Sequence, residues 1–339
     1  MNFRIRKSLL AVAVSGLLAA PLAHATNGYF MHGYSTKNKG LAGAGAAFSQ
    51  DAMAAAVNPA GMAFVDKRLD LGLQIFSPSP RGYTVTGTPP APPGIAPDVL
   101  DFSAFPPTIG CNYALPSGAC APPFSVNPGT VESENDFFLI PHFAYNHLLS
   151  DKSTVGIAVY GNGGMNTEYT GGSATLPSDN NGTTPTLPIT NLQGVYGAGT
   201  AGVNLEQMFF NLNSAYKLND KHALGGSLIL VGQRFRASGL ENFAQFSLDS
   251  SNLSGNVNSL SWGFGAKLGY QGEVADGVRV GISYQTKVSM GEFDEYKGLF
   301  AEGGDFDIPS TYTLGVSFDV GKTGVIVADY QRINYTCLL

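Results

Sequence analysis

Tyr29, Phe30, Met31, Phe48, Met53 and Met62 fall within one short Gly- and Ala-rich stretch near the start of the chain. Aromatic rings and flexible, polarizable thioethers are the side chains of a loosely specific apolar pocket, with a few polar groups such as Asn27 and the Gly28 backbone to orient the ligand. Four cations could meet a ligand carboxylate: Lys37 and Lys39 in the same stretch, and Arg234 and Arg236 far along the chain. A neutral hydrocarbon would need none of them. Nothing points to catalysis. The five His residues are scattered, one of them in the leader, and no HExxH, GxSxG or Walker sequence occurs. Gly43-Ala44-Gly45 lacks the third glycine and the preceding strand of a dinucleotide site. Cys111 and Cys120 sit in a Pro-rich segment and either close a local disulfide or remain two free thiols. No His or second Cys pair lies near them, so no metal site is expected. These residues describe a binding and transfer protein with no cofactor, not an enzyme.

The segments that must position them follow in order. Residues 1–25 read as a signal peptide, with Arg4, Arg6 and Lys7 ahead of an apolar run and Ala23-His24-Ala25 as the cleavage site. That run is too short for a bilayer span, which takes about 20 residues. Its removal subtracts three positive charges and no negative ones, taking the net charge from −6 to −9. Nucleic acid is thereby a poor partner. Charged residues make up only 13% of the chain, where a soluble domain carries about 25%. With 43 Gly, many aromatics and no long apolar helix, the composition favours a transmembrane β-barrel, residues 66–339, over a soluble domain.

Periodicity supports the barrel. Leu260, Trp262, Phe264, Ala266 and Leu268 alternate with Ser261, Gly263, Gly265, Lys267 and Gly269, and Val278, Val280, Ile282 and Tyr284 alternate with Arg279, Gly281, Ser283 and Gln285. A period of two with one apolar face fits strands. A soluble sandwich would alternate likewise with the apolar face inward, but the low charge and the leader favour apolar-out. About nine such strands can be placed. Short turns at Ser150-Asp151, Asn219-Asp220, Asp276-Gly277 and Gly321-Lys322 alternate with long loops, notably about 78–136 and about 164–203, as expected of periplasmic turns and extracellular loops.

The stretch 26–65 is poor strand material and suits a compact plug inside the barrel. Its ordered pieces are Asn27-Gly28-Tyr29-Phe30, Lys37 to Gly45 (KxxGLAGAG), Asp51-Ala52 and Asn58-Pro59-Ala60-Gly61. Together they resemble the N-terminal hatch of the FadL family of outer-membrane transporters. The resemblance implies a fourteen-stranded antiparallel barrel closed by a hatch and a passive route for long-chain fatty acids or other hydrophobic compounds. It also implies a monomer in a Gram-negative outer membrane, touching lipid and lipopolysaccharide. A kink in the third strand of that family opens the wall beside the hatch. By resemblance, Gly161-Asn162-Gly163-Gly164 at the end of the third strand (about 154–163) would form that lateral exit. Pro59 fixes φ in the 58–61 turn, Gly61 permits an unusual backbone, and the turn is expected to anchor the hatch to the first strand. The chain stops at Asn334 to Leu339, in or just after the ninth strand and without the family's terminal aromatic, so a shortened sequence is expected. A non-specific porin or surface adhesin is the competing reading, though porin lumens carry rings of charge and no N-terminal plug.

Overall fold

A computed structural model describes residues 27–78, 81–86, 125–175 and 191–335. The leader, Cys111 and Cys120 lie outside the described residues.

Among the described residues nine long strands form the wall: β1 (Arg68–Phe76), β2 (Phe138–Leu148), β3 (Ser153–Tyr169), β4 (Ala201–Asn219), β5 (His222–Ser238), β6 (Ser259–Ala275), β7 (Val278–Gln285), β8 (Thr311–Val320) and β9 (Gly324–Ile333). They pair in sequence order, each antiparallel to the next, and the two-residue strand Ser289–Met290 adds to β6. No described helix is long and apolar enough to cross a membrane.

The alternation read from the sequence faces as expected. Leu212, Leu228, Leu260 and Phe264 are each more than 60% exposed. Their strand neighbours Asn211, Asn213, Ser227, Ser261 and Lys267 are buried. A soluble sheet would bury the leucines. This wall instead buries its amides and hydroxyls against internal partners, which is the arrangement a hydrocarbon solvent demands.

Two boundaries differ from the sequence reading. β3 does not end in its glycine run but continues to Tyr169, because Gly164 to Tyr169 pair with β4 from Glu206 to Ala201. The glycines make a bulge, not a terminus. Within the loop before β2, Gly82–Val85 pairs with Gly129–Glu132 as an added ribbon.

Residues 27–65 occupy the concave side of the sheet. They form two short helices, α1 (Thr36–Gly40) and α2 (Ala54–Val57), and a tight helical turn, Pro59–Phe64. Ser35 caps α1, its Oγ accepting the Asn38 N–H at 3.2 Å and donating to Asp51 Oδ2 at 2.9 Å. Asn58 caps the Pro59 turn, its Oδ1 accepting the Ala60 N–H at 3.1 Å. The same amide donates to the Ala46 carbonyl at 2.7 Å and the Tyr270 carbonyl at 2.9 Å. Asn58-Pro59-Ala60-Gly61 therefore fastens the hatch to β6, and to β5 through close packing on Gly225, rather than to the first strand. The tie to β1 comes from Asp70, whose Oδ2 accepts the Ala52 N–H at 2.8 Å. Gly61 is not in a left-handed conformation. Its lack of a side chain serves space, since a Cβ there would collide with Ser49 Oγ and sit 2.9 Å from Gln271 Oε1.

Candidate functional site

The wall is incomplete between β2 and β3. Their ladder runs from Leu148 opposite Thr154 to His142 opposite Tyr160 and stops there. Beyond it, Phe138 to Pro141 of β2 pair only with β1. At the same level β3 shifts register against β4 between Gly161 and Gly163. The extra residue, Asn162, turns its side chain inward, where it is buried. Gly163 has φ 155, which favours glycine, and a Cβ on it would overlap the Tyr29 carbonyl.

The hatch fills this gap in strand fashion. Phe30 bridges Gly163 in antiparallel sense. Met31 N–H donates to the Asn162 carbonyl at 2.8 Å, and Gly164 N–H donates to the Tyr29 carbonyl at 3.0 Å. Tyr29, Phe30 and Met31 thus supply to the bare edge of β3 the partners that β2 withholds. A bare edge facing hydrocarbon is costly, so the segment closes the wall both sterically and electrostatically. Gly161, Asn162, Gly163 and Gly164, read from the sequence as an exit, lie against Tyr29, Phe30 and Met31, read separately as pocket lining.

A polar ladder backs the closure. Asn162 Nδ2 donates to Gln207 Oε1 at 3.2 Å, Gln207 Nε2 to Gln233 Oε1 at 3.1 Å, and Gln233 Nε2 to the Phe306 carbonyl at 3.0 Å. Tyr34 Oη donates to Asn162 Oδ1 at 3.2 Å. Burial raises the Tyr29 and Tyr34 hydroxyl pKa values well above the usual phenol value. Tyr335, pushed up to about 12 by burial, donates to the Asn27 carbonyl at 2.6 Å and rests over Gly28.

The sequence reading missed the aromatics above the hatch. The loop between β7 and β8 folds inward and places Phe293, Tyr296 and Phe300 around Phe235 of β5, with ring centroids 5.3, 5.0 and 5.0 Å from it. The column continues through Phe300–Phe306 at 5.5 Å and Phe306–Tyr29 at 5.8 Å to Tyr29–Phe30 at 5.1 Å. An unbroken run of rings therefore leads from a loop to the wall gap. The spacing of Phe293, Tyr296 and Phe300 in a polar loop was the available signal.

The other expected residues sort differently. Phe48, Met53 and Lys37 share a crevice of only about 20 Å³, room for a water and not for a ligand. Met53 and Met62 are fully buried packing, Met62 lying against Gly156 of β3. Lys37 Nζ donates to the Gln50 carbonyl at 3.2 Å, and Lys39 Nζ reaches the His32 carbonyl at 3.5 Å. Partial burial lowers the Lys39 pKa. Arg234 and Arg236 do not face the interior: both alternate with buried Gln233, Phe235 and Ala237 and are exposed. Arg234 forks onto Glu206 at 2.7 and 2.8 Å on that outer face. Strand parity excludes both from a lumenal site. Among the described residues the buried cation is instead Lys267, on the inner face of β6, whose Nζ donates to the Ala56 carbonyl at the end of α2.

The family model for outer membrane transport proteins of the OMPP1/FadL/TodX type matches residues 16–321. The chain belongs to this family. Solved structures share its fold. The toluene transporter TbuX of Ralstonia pickettii is 18% identical, with 91% of this chain and 73% of that one covered and a TM-score of 0.56. TodX of Pseudomonas putida is 16% identical over 91% and 72%, with a TM-score of 0.56. A FadL homologue of Pseudomonas aeruginosa is 17% identical over 91% and 70%, with a TM-score of 0.52. No match was found among curated proteins.

Proposed function

We propose that this protein carries hydrophobic compounds, neutral aromatic hydrocarbons among them, passively across a Gram-negative outer membrane as a monomer. Ligand enters among the inward-folded loop aromatics, passes along the column from Phe293 and Phe300 through Phe306 to Tyr29, and leaves sideways between β2 and β3. The observation that carries this reading is the pairing of Tyr29 to Met31 with Asn162 to Gly164 across the break in the wall. Two backbone hydrogen bonds hold that closure, so a modest shift of the hatch terminus opens it. The toluene transporters among the structural relatives support the ligand class, and fatty acids remain within it by virtue of the family. The route offers a solute rings and thioethers in place of water, which suits apolar cargo.

Two assays on one preparation test this. Outer-membrane vesicles containing the protein should take up labelled toluene and labelled oleate faster than vesicles lacking it. Liposomes containing it should not swell in sugar solutions, because the hatch blocks polar solutes. Rapid swelling in sugars without uptake of either hydrophobic compound would establish a porin instead.

A further inference from the structure

On the outer face of the wall, across the short-turn ends of β2 to β6, lies a groove of about 830 Å³. Two rows of paired residues shape it. In one row Gly226 stands opposite Ser214 on one side and Leu268 on the other; in the next, Leu228 stands opposite Leu212 and Ala266. The surface dips where the small residues Ser214, Gly226 and Ala266 meet, and Leu212, Leu228, Leu268 and Ile157 stand exposed around the dip. The fold does not require a glycine in it. Gly226 has no left-handed backbone, and a Cβ there would come no nearer than 3.6 Å to another atom, Leu268 Cδ2. Toward the short turns the groove becomes polar. Tyr145 Oη and His147 Nδ1 are hydrogen-bonded at 3.2 Å, and His147 is half-buried on the lining with no bond to its Nε2 among the described residues. A second such pair, Tyr270 Oη and His222 Nδ1 at 2.8 Å, flanks the other side. Rings with one apolar and one polar end suit the level where hydrocarbon gives way to headgroups. Lys152, exposed in the turn between β2 and β3, lies roughly 10 Å along the strand from Val155 of the lining. It makes no ion pair among the described residues.

An apolar bed that ends in an imidazole nitrogen and an unpaired ammonium matches the two ends of a phospholipid. We propose that the groove holds one phospholipid of the periplasmic leaflet, with an acyl chain lying over Ser214 and Gly226 and the phosphate meeting His147 and Lys152. The groove is continuous with the apolar outer face that such a wall turns to hydrocarbon, and it lies at the short-turn, periplasmic end, where the leaflet is phospholipid. A second copy of the chain is the poorer occupant, because a two-fold contact here would set Lys152 of one protomer beside its counterpart. The lipid seats against Val155 and Ile157, in the part of β3 that pairs on both sides, and so braces that strand below its bulge. This site is on the outer face alone and is independent of the route that cargo takes through the interior.

Photolabelling tests it, on the chain reconstituted in phosphatidylcholine vesicles that contain a trace of phosphatidylethanolamine with a diazirine on one acyl chain. Labelled residues are mapped by mass spectrometry of peptides from the folded, heat-modifiable protein. Wild type should take label at Leu212, Leu228 and Leu268 about tenfold more than at Ile282 and Leu314, exposed positions on β7 and β8, a margin equal to burying roughly 60 Å² of extra hydrocarbon surface. Gly226→Leu fills the dip and should bring the groove down to the level of β7 and β8. Ser214→Leu should do the same and stands in if the first variant fails to fold. Lys152→Ala should cut the labelling about fivefold. A diacylglycerol with the same diazirine, which lacks the phosphate, should label wild type as weakly as the phospholipid labels Lys152→Ala. Even labelling of the groove and of β7 and β8 in wild type overturns the site, as does a preference that survives both Gly226→Leu and Ser214→Leu. Equal labelling by the diacylglycerol and the phospholipid removes the phosphate contact and overturns a phospholipid as the occupant. An unlabelled groove, with chain dimers in native mass spectrometry, shows a second copy in its place and also overturns it.

Discussion

At the scale of single residues the closure rests on a few positions where no other side chain fits. Gly163→Val introduces a Cβ into the space of the Tyr29 carbonyl and imposes a backbone that costs about 1–3 kcal/mol for a non-glycine residue. The variant should release residues 27–31, seen as faster amide exchange confined to that segment and to Gly164. Asn58→Ala should act more widely. It strands the Ala46 and Tyr270 carbonyls and uncaps the Pro59 turn, at about 2–3 kcal/mol, and should speed exchange through residues 46–63 while the wall strands stay protected. The glycine-rich run and the Asn58 turn stood out in the sequence, but their roles did not: the run is a bulge and not a strand end, and Gly61 answers to space and not to a special backbone. The Arg234 and Lys267 roles were not legible either. Each depends on strand parity, and a single step of register separates a lumenal cation from an exposed one.

At the scale of elements, β3 carries the design. Its lower half pairs on both sides, and its upper half pairs with β4 on one side and with the hatch on the other. Three glycines in four residues looked like a strand end, because glycine weakens strands. The ladder to β4 continues past them since Asn166 to Tyr169 regain partners at Asn204 to Ala201. The loop between β7 and β8 offered only the spacing of its aromatics, and its inward fold follows from burying Phe293 and Tyr296 against Phe235, a long-range contact. Wall strands, by contrast, could be recognised because an apolar outer face and polar inner face enforce a strict period of two. That asymmetry predicts unequal tolerance. Phe264→Arg, on the exposed face, should cost about 2–4 kcal/mol if it lies near the bilayer midplane and lower the yield of heat-modifiable, folded protein. Thr313→Asn, inside and on a polar cavity beside the hatch, should fold at the wild-type yield.

At the scale of the whole molecule, the proposed route relies on three parts: an outward-apolar wall, a hatch docked on its concave side and a break filled by the hatch terminus. The hatch is fastened at its far end by Asn58, Asp70 and Asp329, and its first residues are held at the gap by the two backbone hydrogen bonds of the Phe30–Gly163 bridge. The proposed route therefore asks for movement of the terminus alone. The most direct measurement is uptake of labelled toluene by vesicles bearing Met31→Cys with Gly161→Cys, in a background where Cys111, Cys120 and Cys337 are Ser. A Cβ on Gly161 lies 3.9 Å from Met31 Sδ, so the two side chains meet across the gap, and joining the thiols by oxidation, directly or through a short reducible bis-thiol linker, should pin the hatch terminus there. The account predicts that uptake falls to the level of empty vesicles when oxidised and returns on reduction. Undiminished uptake through the cross-linked protein would contradict it, because hydrophobic cargo would then be leaving by some path other than the one between β2 and β3.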